Sequence, residues 1–190
     1  MRWLVDIAYL IFLCIALPLL FVGMIVRGRR RTEWVKRFGH VPVGARRTGS
    51  GRRVMLHAVS VGEVNAIRGL VPRLHASGID VVVAVTTETG FQRATSLFAD
   101  RHVVVRYPLD LSWCVGRFLR AIKPDLVALV ELEIWPNFTG ACSRAGIPVH
   151  IINGRLTERS VRRYRRAILV LKPMFMRIAR FGVQDEAQAI

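Results

Sequence analysis

Residues 54–90 read VMLHAVSVGEVNAIRGLVPRLHASGIDVVVAVTTETG. Val54–Val59 is a short apolar run of the kind that a buried parallel strand shows, and Ser60–Glu63 interrupts it. Apolar residues then recur at helical spacing over residues 64–76, and Ile79–Thr86 is a second apolar run. This stretch therefore predicts a strand, a helix and a second strand, which is the repeating unit of a parallel α/β sheet.

The same alternation continues along the chain. Further strands are predicted at Val103–Tyr107, Asp125–Val130 and Pro148–Ile152, and helices at 91–99, 112–122 and 138–145. Five alternations predict a Rossmann-like, doubly wound parallel sheet, in which ligands bind beyond the carboxyl ends of the strands. Function is therefore expected in the loops SVGE, TTETG, PLD, ELEIWPN and NGRL.

Composition and charge narrow the class of protein. Apolar residues make up 52% of the 190 residues, which excludes a disordered chain. Of the net charge of +16, residues 27–53 and 144–180 each hold ten basic residues and one acidic residue, whereas residues 54–143 are balanced at eight and eight. Two basic segments around a neutral core indicate a polyanionic partner: nucleic acid, a phosphate-bearing ligand or an anionic membrane surface.

The last segment of the chain and the cysteines give less information about function. Residues 157–180 are predicted to open a helix at Thr157, with five arginines between Arg159 and Arg166 over about two turns. The spacing of the three cysteines matches no zinc or CxxC pattern, so we expect no structural metal.

The beginning of the chain is typical of a membrane anchor. Ile7–Val26 holds no charged residue, and twenty helical residues span about 30 Å, the thickness of the hydrocarbon core of a bilayer. Arginines at 27 and 29–31 follow it, which predicts that the rest of the chain is cytoplasmic. A helix that enters one leaflet, a cleaved secretory signal and a buried core helix are the alternatives.

These patterns divide the chain into three parts. Residues 1–31 are the predicted anchor with its basic cluster, and residues 54–190 the predicted Rossmann-like domain. Residues 32–53 are predicted to be a linker because their second half, GARRTGSGRR, is rich in glycine and polar residues.

Glu63 is the first candidate for chemistry. It follows the first strand at the start of a helix, where it is either a general base at the mouth of the sheet or a carboxylate favoured by the helix dipole. Ser60 and Gly62 could present backbone N–H groups to an anion. His57, inside the first strand, is interpreted as a packed core residue.

Two more carboxylates follow the fourth strand. Glu131 and Glu133 are two residues apart, so their side chains could face one cleft, although either could instead pair with Arg155. Arg155 itself could clamp a phosphate or a carboxylate. Asn153 ends the fifth strand, and Thr87 lies in a hydroxyl-rich loop that turn chemistry also explains.

Four of these motifs resemble a known family. HAVSVGEV (57–64), TTETG (86–90), ELEIWPN (131–137) and NGRLTERS (153–160) are similar, in the same order, to motifs of the 3-deoxy-D-manno-octulosonic acid (Kdo) transferases. These are inverting GT-B glycosyltransferases of lipopolysaccharide inner-core synthesis. Gly154 and Leu132 depart from the usual alanine and threonine of that family.

The resemblance implies a function and roles for the residues. It implies transfer of Kdo from CMP-Kdo to a lipid A precursor (lipid IVA) at the cytoplasmic face of the inner membrane, with no cofactor and no metal. Glu63 would be the catalytic base and Glu131 would assist at the reaction centre. Ser60, Gly62, Thr87 and Arg155 are then the expected acceptor-binding residues, and Glu133 and Asn153 further possibilities.

The resemblance also bears on the extent of the chain. A GT-B enzyme has a second domain that holds the nucleotide donor, so this chain is expected to be the acceptor-side part, inactive alone and lacking that domain. The alternative is a non-catalytic, membrane-associated α/β module that binds anionic lipid or nucleic acid, although nucleic acid is not expected as a partner.

Overall fold

The computed structural model describes residues 3, 5–7, 9–11, 33–154 and 168–183. Six strands form its sheet: β1 (Arg53–Ala58), β2 (Asp80–Val85), β3 (Val103–Arg106), β4 (Leu126–Val130), β5 (Val149–Gly154) and β6 (Ile178–Val183). All pairings are parallel, in the order β3-β2-β1-β4-β5-β6. The predicted parallel α/β sheet is confirmed.

Helices cover both faces of this sheet. They are α1 (Trp34–Arg37), α2 (Val61–Ala66), α3 (Leu70–Ala76), α4 (Glu88–Phe98), α5 (Ser112–Ile122), α6 (Pro136–Arg144) and α7 (Ile168–Phe175), with a 3₁₀ turn at Val43–Ala45. Alternate strand residues point to opposite faces, so Met55 packs with α5 and α6 and Leu56 with α2, α3 and α4. The sheet therefore lies between two apolar layers.

Two elements differ from the sequence prediction. Residues 64–76, predicted as one helix, form parts of α2 and α3, because Pro72 cannot follow a continuous helix without its ring meeting the carbonyl four residues earlier. The sixth strand was not predicted. β6 exposes most of its residues and contains Arg180 and Gly182, so it lacks the apolar run that identified the buried strands.

The predicted anchor falls mostly outside the described residues, which include only 7 and 9–11 of the range 7–26. Residues 5–7 and 9–11 are helical. Within the described part of the chain, no helix combines the length and apolar character needed to cross a bilayer. The basic helix predicted from Thr157 also lies outside the described residues up to residue 167.

The segment predicted as a linker is packed on the domain where it is described. Val41 and Ala45 are buried in the same apolar layer as α5 and α6. The Arg37 guanidinium donates hydrogen bonds to the carbonyl oxygens of Thr86 and Tyr107 at the ends of β2 and β3. Residues 33–53 therefore bind the carboxyl edge of the sheet as well as one of its faces.

Gly39 makes this packing possible, and replacing it tests the docked segment. Its φ is +82°, and a Cβ at this position would lie 2.1 Å from the Cys114 carbonyl oxygen in α5. We expect Gly39→Ala to lower the free energy of unfolding by at least about 1–2 kcal/mol, because a left-handed backbone and a backbone clash both oppose it. Urea unfolding monitored by circular dichroism measures this.

Gly49→Ala is the matched control, because nothing lies within 4 Å of a Cβ at Gly49 and its φ is not positive. Equal stability of the two variants would contradict the packing of residues 33–53 on α5.

His57 generates a prediction about pH. It lies fully buried in β1, its Nδ1 is 3.1 Å from the Ala84 carbonyl oxygen, and burial lowers its pKa from 6.5 to about 4. The unfolded chain therefore binds a proton at His57 more tightly than the folded chain does. As the pH falls from 6.5 towards 4, the free energy of unfolding decreases by about 3 kcal/mol in all. Urea unfolding at pH 7 and pH 4 should show a smaller loss in His57→Gln than in the parent.

The exposed His75 supplies the comparison: His75→Gln should keep the full loss. The same loss in His57→Gln as in the parent would show that His57 does not control this transition.

Candidate functional site

The site lies where the order of strands reverses. β1 pairs with both β2 and β4. The helices that connect β1 to β2 and β3 cover one face of the sheet, and the helices that lead to β4 and β5 cover the other. The loops after β1 and β4 therefore diverge and leave a crevice at the carboxyl edge, the usual ligand position in this type of sheet. Glu63 follows β1, and Glu131 and Glu133 follow β4.

Glu63 is held rigidly at the start of α2. The residue is 6% exposed, and its carboxylate accepts three hydrogen bonds: Oε2 from the Val59 N–H (2.8 Å), and Oε1 from the Ser60 N–H (3.1 Å) and hydroxyl (2.8 Å). The Ser60 Oγ in turn accepts from the Glu63 N–H, which completes a capping box. The helix-start role considered for Glu63 is thus present in the structure, and it fixes the direction of the carboxylate.

Thr87 connects the first two loops. Its hydroxyl donates to the Val59 carbonyl oxygen (2.6 Å) and accepts from the Gly90 N–H (3.2 Å), so it caps α4. Gly62 lies exposed in the first turn of α2. The hydroxyls of Ser60 and Thr87 both form hydrogen bonds inside the protein, and that of Thr87 joins the loops after β1 and β2.

Glu131 begins the loop after β4 with an unusual backbone. Its φ is +63°, and its N–H donates to the Ile152 carbonyl oxygen of β5 at 2.9 Å. A glutamate in the left-handed region is uncommon and marks a position that the surroundings impose. Asn153, at the end of β5, has a φ of +57°. Left-handed backbone therefore occurs directly after β4 and at the penultimate residue of the neighbouring β5.

Glu133 shows that the carboxylates converge. It is half-buried, and burial raises its pKa, with the negative charges of Glu63 and Glu131 raising it further. Repulsion from each of these residues places Glu133 within electrostatic reach of both loops. The structure therefore brings together the carboxylates of two loops that the sequence predicted at one edge.

The sequence interpretation did not single out Asp110, although it expected function in the loop PLD that contains this residue. Asp110, after β3, accepts from the Asn137 N–H through Oδ2 (3.0 Å) and from the Phe138 N–H through Oδ1 (2.7 Å). These N–H groups belong to the first turn of α6, whose N-cap residue, Trp135, has no side-chain acceptor. The missing cap was a signal that an acceptor had to come from another loop.

The remaining candidates are placed as follows. Arg155 and the arginines from 159 to 166 lie outside the described residues. Among the residues that the structure does describe, no group of three or more His, Cys, Asp or Glu side chains is arranged to hold a metal ion.

A cavity of about 560 Å³ lies beside α4 and includes Glu33, Glu88, Phe91 and Arg106 in its lining. Arg106 is buried and stacks over the Phe91 ring at 3.8 Å, while its guanidinium binds Glu88 (2.5 Å) and Glu33 (3.4 Å). Two carboxylates thus already balance its positive charge, so this cavity is a poor site for an anion.

The chain is similar in sequence to several known proteins. The chain is 31% identical over 180 residues to the 3-deoxy-D-manno-octulosonic acid transferase of Haemophilus influenzae, covering 93% of this chain and 42% of that protein. The corresponding enzyme of Chlamydia pneumoniae is 31% identical over 190 residues, covering 96% and 42%. A bifunctional glycosyltransferase/methyltransferase of Fusobacterium nucleatum is 33% identical over 136 residues, covering 70% and 21%. The chain thus spans less than half the length of these curated relatives.

Among solved structures, the crystal structure of Acinetobacter baumannii MurG matches with a TM-score of 0.44 at 18% identity, over 53% of this chain and 34% of that one. The sequence model of the family described as 3-Deoxy-D-manno-octulosonic-acid transferase (kdotransferase) matches residues 32–190. That match covers most of the chain and includes the three carboxylates of the crevice. The chain belongs to the 3-deoxy-D-manno-octulosonic acid transferase family.

Proposed function

We propose that this chain is the acceptor-side part of an inverting glycosyltransferase that moves Kdo from CMP-Kdo to a lipid A precursor in lipopolysaccharide inner-core synthesis. The observation that carries the proposal is the convergence of Glu63, Glu131 and Glu133 at the β1/β4 crevice of a chain that belongs to this family. Membership of the family supports the transferase role, and the carboxylates supply the chemistry that such a transfer needs.

Glu63 is the proposed base. An acceptor hydroxyl becomes a good nucleophile when a positioned carboxylate takes its proton as the new bond forms. Oε1 of Glu63 accepts two hydrogen bonds, whereas Oε2 accepts one. A carboxylate oxygen has two lone pairs, so Oε2 keeps one for the acceptor proton. The three hydrogen bonds to the carboxylate hold that lone pair in a fixed direction.

Glu133 is the second candidate for the same step. Burial and the nearby charges raise the pKa of Glu133 towards neutral pH, and a general acid or base works best when its pKa is near the working pH. Glu131, which is exposed, is proposed to support the reaction centre. We propose Ser60, Gly62, Thr87 and Arg155 as the acceptor-binding set, with Arg155 as the group for a phosphate.

We also propose that the chain binds the cytoplasmic face of the inner membrane through one leaflet. Ile7, Leu10 and Ile11 expose apolar side chains, whereas Asp6 accepts hydrogen bonds from Ser112 and Asn137 of the domain. One side of this segment thus binds the domain and the other side is apolar, as in helices that lie in the interface. A segment spanning from residue 7 to residue 26 would place Asp6 across the bilayer from its partners.

The domain itself exposes aromatic rings that suit such an interface. Trp34 and Trp113 are both exposed, and Phe38 contacts each of them, with ring centroids 6.4 and 5.6 Å apart respectively. Trp113 is next in sequence to Ser112, which binds Asp6. Tryptophan rings favour the boundary between water and hydrocarbon, so this surface supports the interfacial arrangement.

Replacing the three carboxylates in turn tests the catalytic proposal in the complete protein that carries this chain. Glu63→Gln should lower the rate of Kdo transfer from CMP-Kdo by at least about 100-fold, because the amide is not basic. Glu63→Gln should also lower the free energy of unfolding by about 1–3 kcal/mol. The new NH₂ group would face a backbone N–H whose hydrogen bond the carboxylate now accepts. Transfer rates and thermal melts are measured together.

Asp100→Asn is the control, because it removes an exposed carboxylate outside the crevice. Glu133→Gln should keep its stability and most of its activity if Glu63 is the base. A larger rate loss in Glu133→Gln than in Glu63→Gln would transfer the role of base to Glu133, and normal rates in all three variants would contradict the proposed site.

The side of the membrane reached by the N-terminus tests the interfacial arrangement. In sealed vesicles with the cytoplasmic face outwards, a protease should remove a tag placed before Met1, because Asp6 lies against the cytoplasmic domain. A tag after residue 190 is the control, since it is cleaved whether or not residues 7–26 span the bilayer. Protection of the N-terminal tag alone would show that the segment spans.

A further inference from the structure

Two helices that border the site begin with residues that cannot cap them. The N-cap residues are Leu111 for α5 and Trp135 for α6, and neither side chain offers an oxygen acceptor. The first N–H groups of a helix need acceptors from outside it, and unmet donors in a buried position are costly. Both starts are buried or half-buried here, so their acceptors must come from the protein.

Two buried aspartates provide these acceptors. Asp110 accepts from the N–H groups of Asn137 and Phe138 in α6. Asp6 accepts from the Ser112 N–H in α5 at 2.9 Å and from the Ser112 hydroxyl. Each carboxylate lies at the positive end of a helix dipole.

A single amide joins the two caps. The Asn137 Nδ2 donates to Asp6 Oδ1 (2.8 Å) and to the Asp110 carbonyl oxygen (2.6 Å). The Tyr9 hydroxyl donates to Asp110 Oδ2 (3.1 Å), so the N-terminal segment holds the network at two points. Asp6, Asp110 and Asn137 are 7%, 8% and 4% exposed. In a buried network of this kind, removing one acceptor leaves several donors unpaired.

The charges in the network depend on these hydrogen bonds. Among the described residues, no basic side chain lies within 4 Å of either Asp6 or Asp110. Burial raises the pKa of Asp110 to about 6, against the opposing effect of the two N–H donors in α6. Among the described residues, the two carboxylates are therefore bound by the hydrogen-bond donors of α5 and α6, together with the Tyr9 hydroxyl.

The network determines where one loop of the crevice ends. The loop from Glu131 to Trp135 is fixed at its start by the hydrogen bond from the Glu131 N–H to Ile152. It is fixed at its end by α6, whose first turn Asp110 and Asn137 hold. Glu133 lies between these two points, so a shift of the start of α6 moves Glu133 relative to Glu63.

We propose that Asp6 is a positioning residue: through Asn137, the N-terminal segment fixes the start of α6 and with it the loop that carries Glu131 and Glu133. The kinetic consequence rests on the proposed transferase function, whereas the structural consequence does not. Asp6 acts at a distance in sequence of about 130 residues from the loop that it positions.

Hydrogen exchange of the full chain in detergent tests the structural consequence. In Asp6→Ala, which removes both acceptor oxygens, the backbone N–H groups of Asn137 and Phe138, which Asp6 does not contact, should exchange about tenfold faster, because local opening becomes easier when a cap is lost. Amides of β1 and β4 should be unchanged. Tyr9→Phe, which removes one hydrogen bond and keeps the ring, should give a smaller increase at the same two amides.

Asp100→Asn is again the matched control and should exchange like the parent. Unchanged exchange at the backbone N–H groups of Asn137 and Phe138 in Asp6→Ala would overturn the proposal. Equal acceleration throughout the sheet would also overturn it, since it would show a general loss of stability rather than a local role.

Kinetics of the complete protein test the second consequence. Asp6→Ala should lower kcat about tenfold, within the range that misplaced catalytic groups produce, and leave the KM for the lipid acceptor unchanged. An unchanged kcat in a protein that transfers Kdo would overturn the positioning role. If the parent itself transfers no Kdo, the proposed function fails, and the exchange experiment alone decides whether Asp6 positions the loop.

Discussion

Most of this structure depends on the central pairing of β1 with β2 on one side and with β4 on the other. Parallel strands must be connected over a face of the sheet, so the chain covers one face while it builds β2 and β3 and the other while it builds β4 and β5. The crevice between the loops of β1 and β4 follows from this reversal. The three carboxylates of the proposed site come from these two loops and lie at the same edge of the sheet because of the topology.

The helices at this edge use acidic and hydroxyl side chains in two different ways. α2 and α4 are capped by their own residues, Ser60 with Glu63 and Thr87. α5 and α6 receive their acceptors from Asp6 and Asp110, on other segments. A cap from the helix's own N-terminal residues fixes a loop to that helix. An acceptor from a distant segment, such as Asp6 or Asp110, fixes that segment to the helix. At the end of the domain that holds the site, polar contacts therefore join segments that are far apart in the sequence.

The sequence predicted the parallel sheet because β1, β2 and β4 are buried on both faces and appear as continuous apolar runs. It placed Glu63, Glu131 and Glu133 at one edge for the same reason. It did not predict β6, whose exposed residues lack that pattern, nor the break before α3. The network of Asp6, Asp110 and Asn137 joins residues far apart along the chain, and hydrophobic periodicity carries no information about such pairs.

The docking of residue 6 on the domain has a consequence for protein engineering. Cutting a membrane-bound enzyme after its apolar N-terminus is a common route to a form that can be purified without detergent. In this chain such a cut, made before residue 33, would also remove the acceptor of the Ser112 N–H and one acceptor of the Asn137 amide. Each buried donor left in this way costs about 1–3 kcal/mol. Supplying a carboxylate in place of Asp6, for example from a designed side chain near Ser112, would be part of a sound truncation.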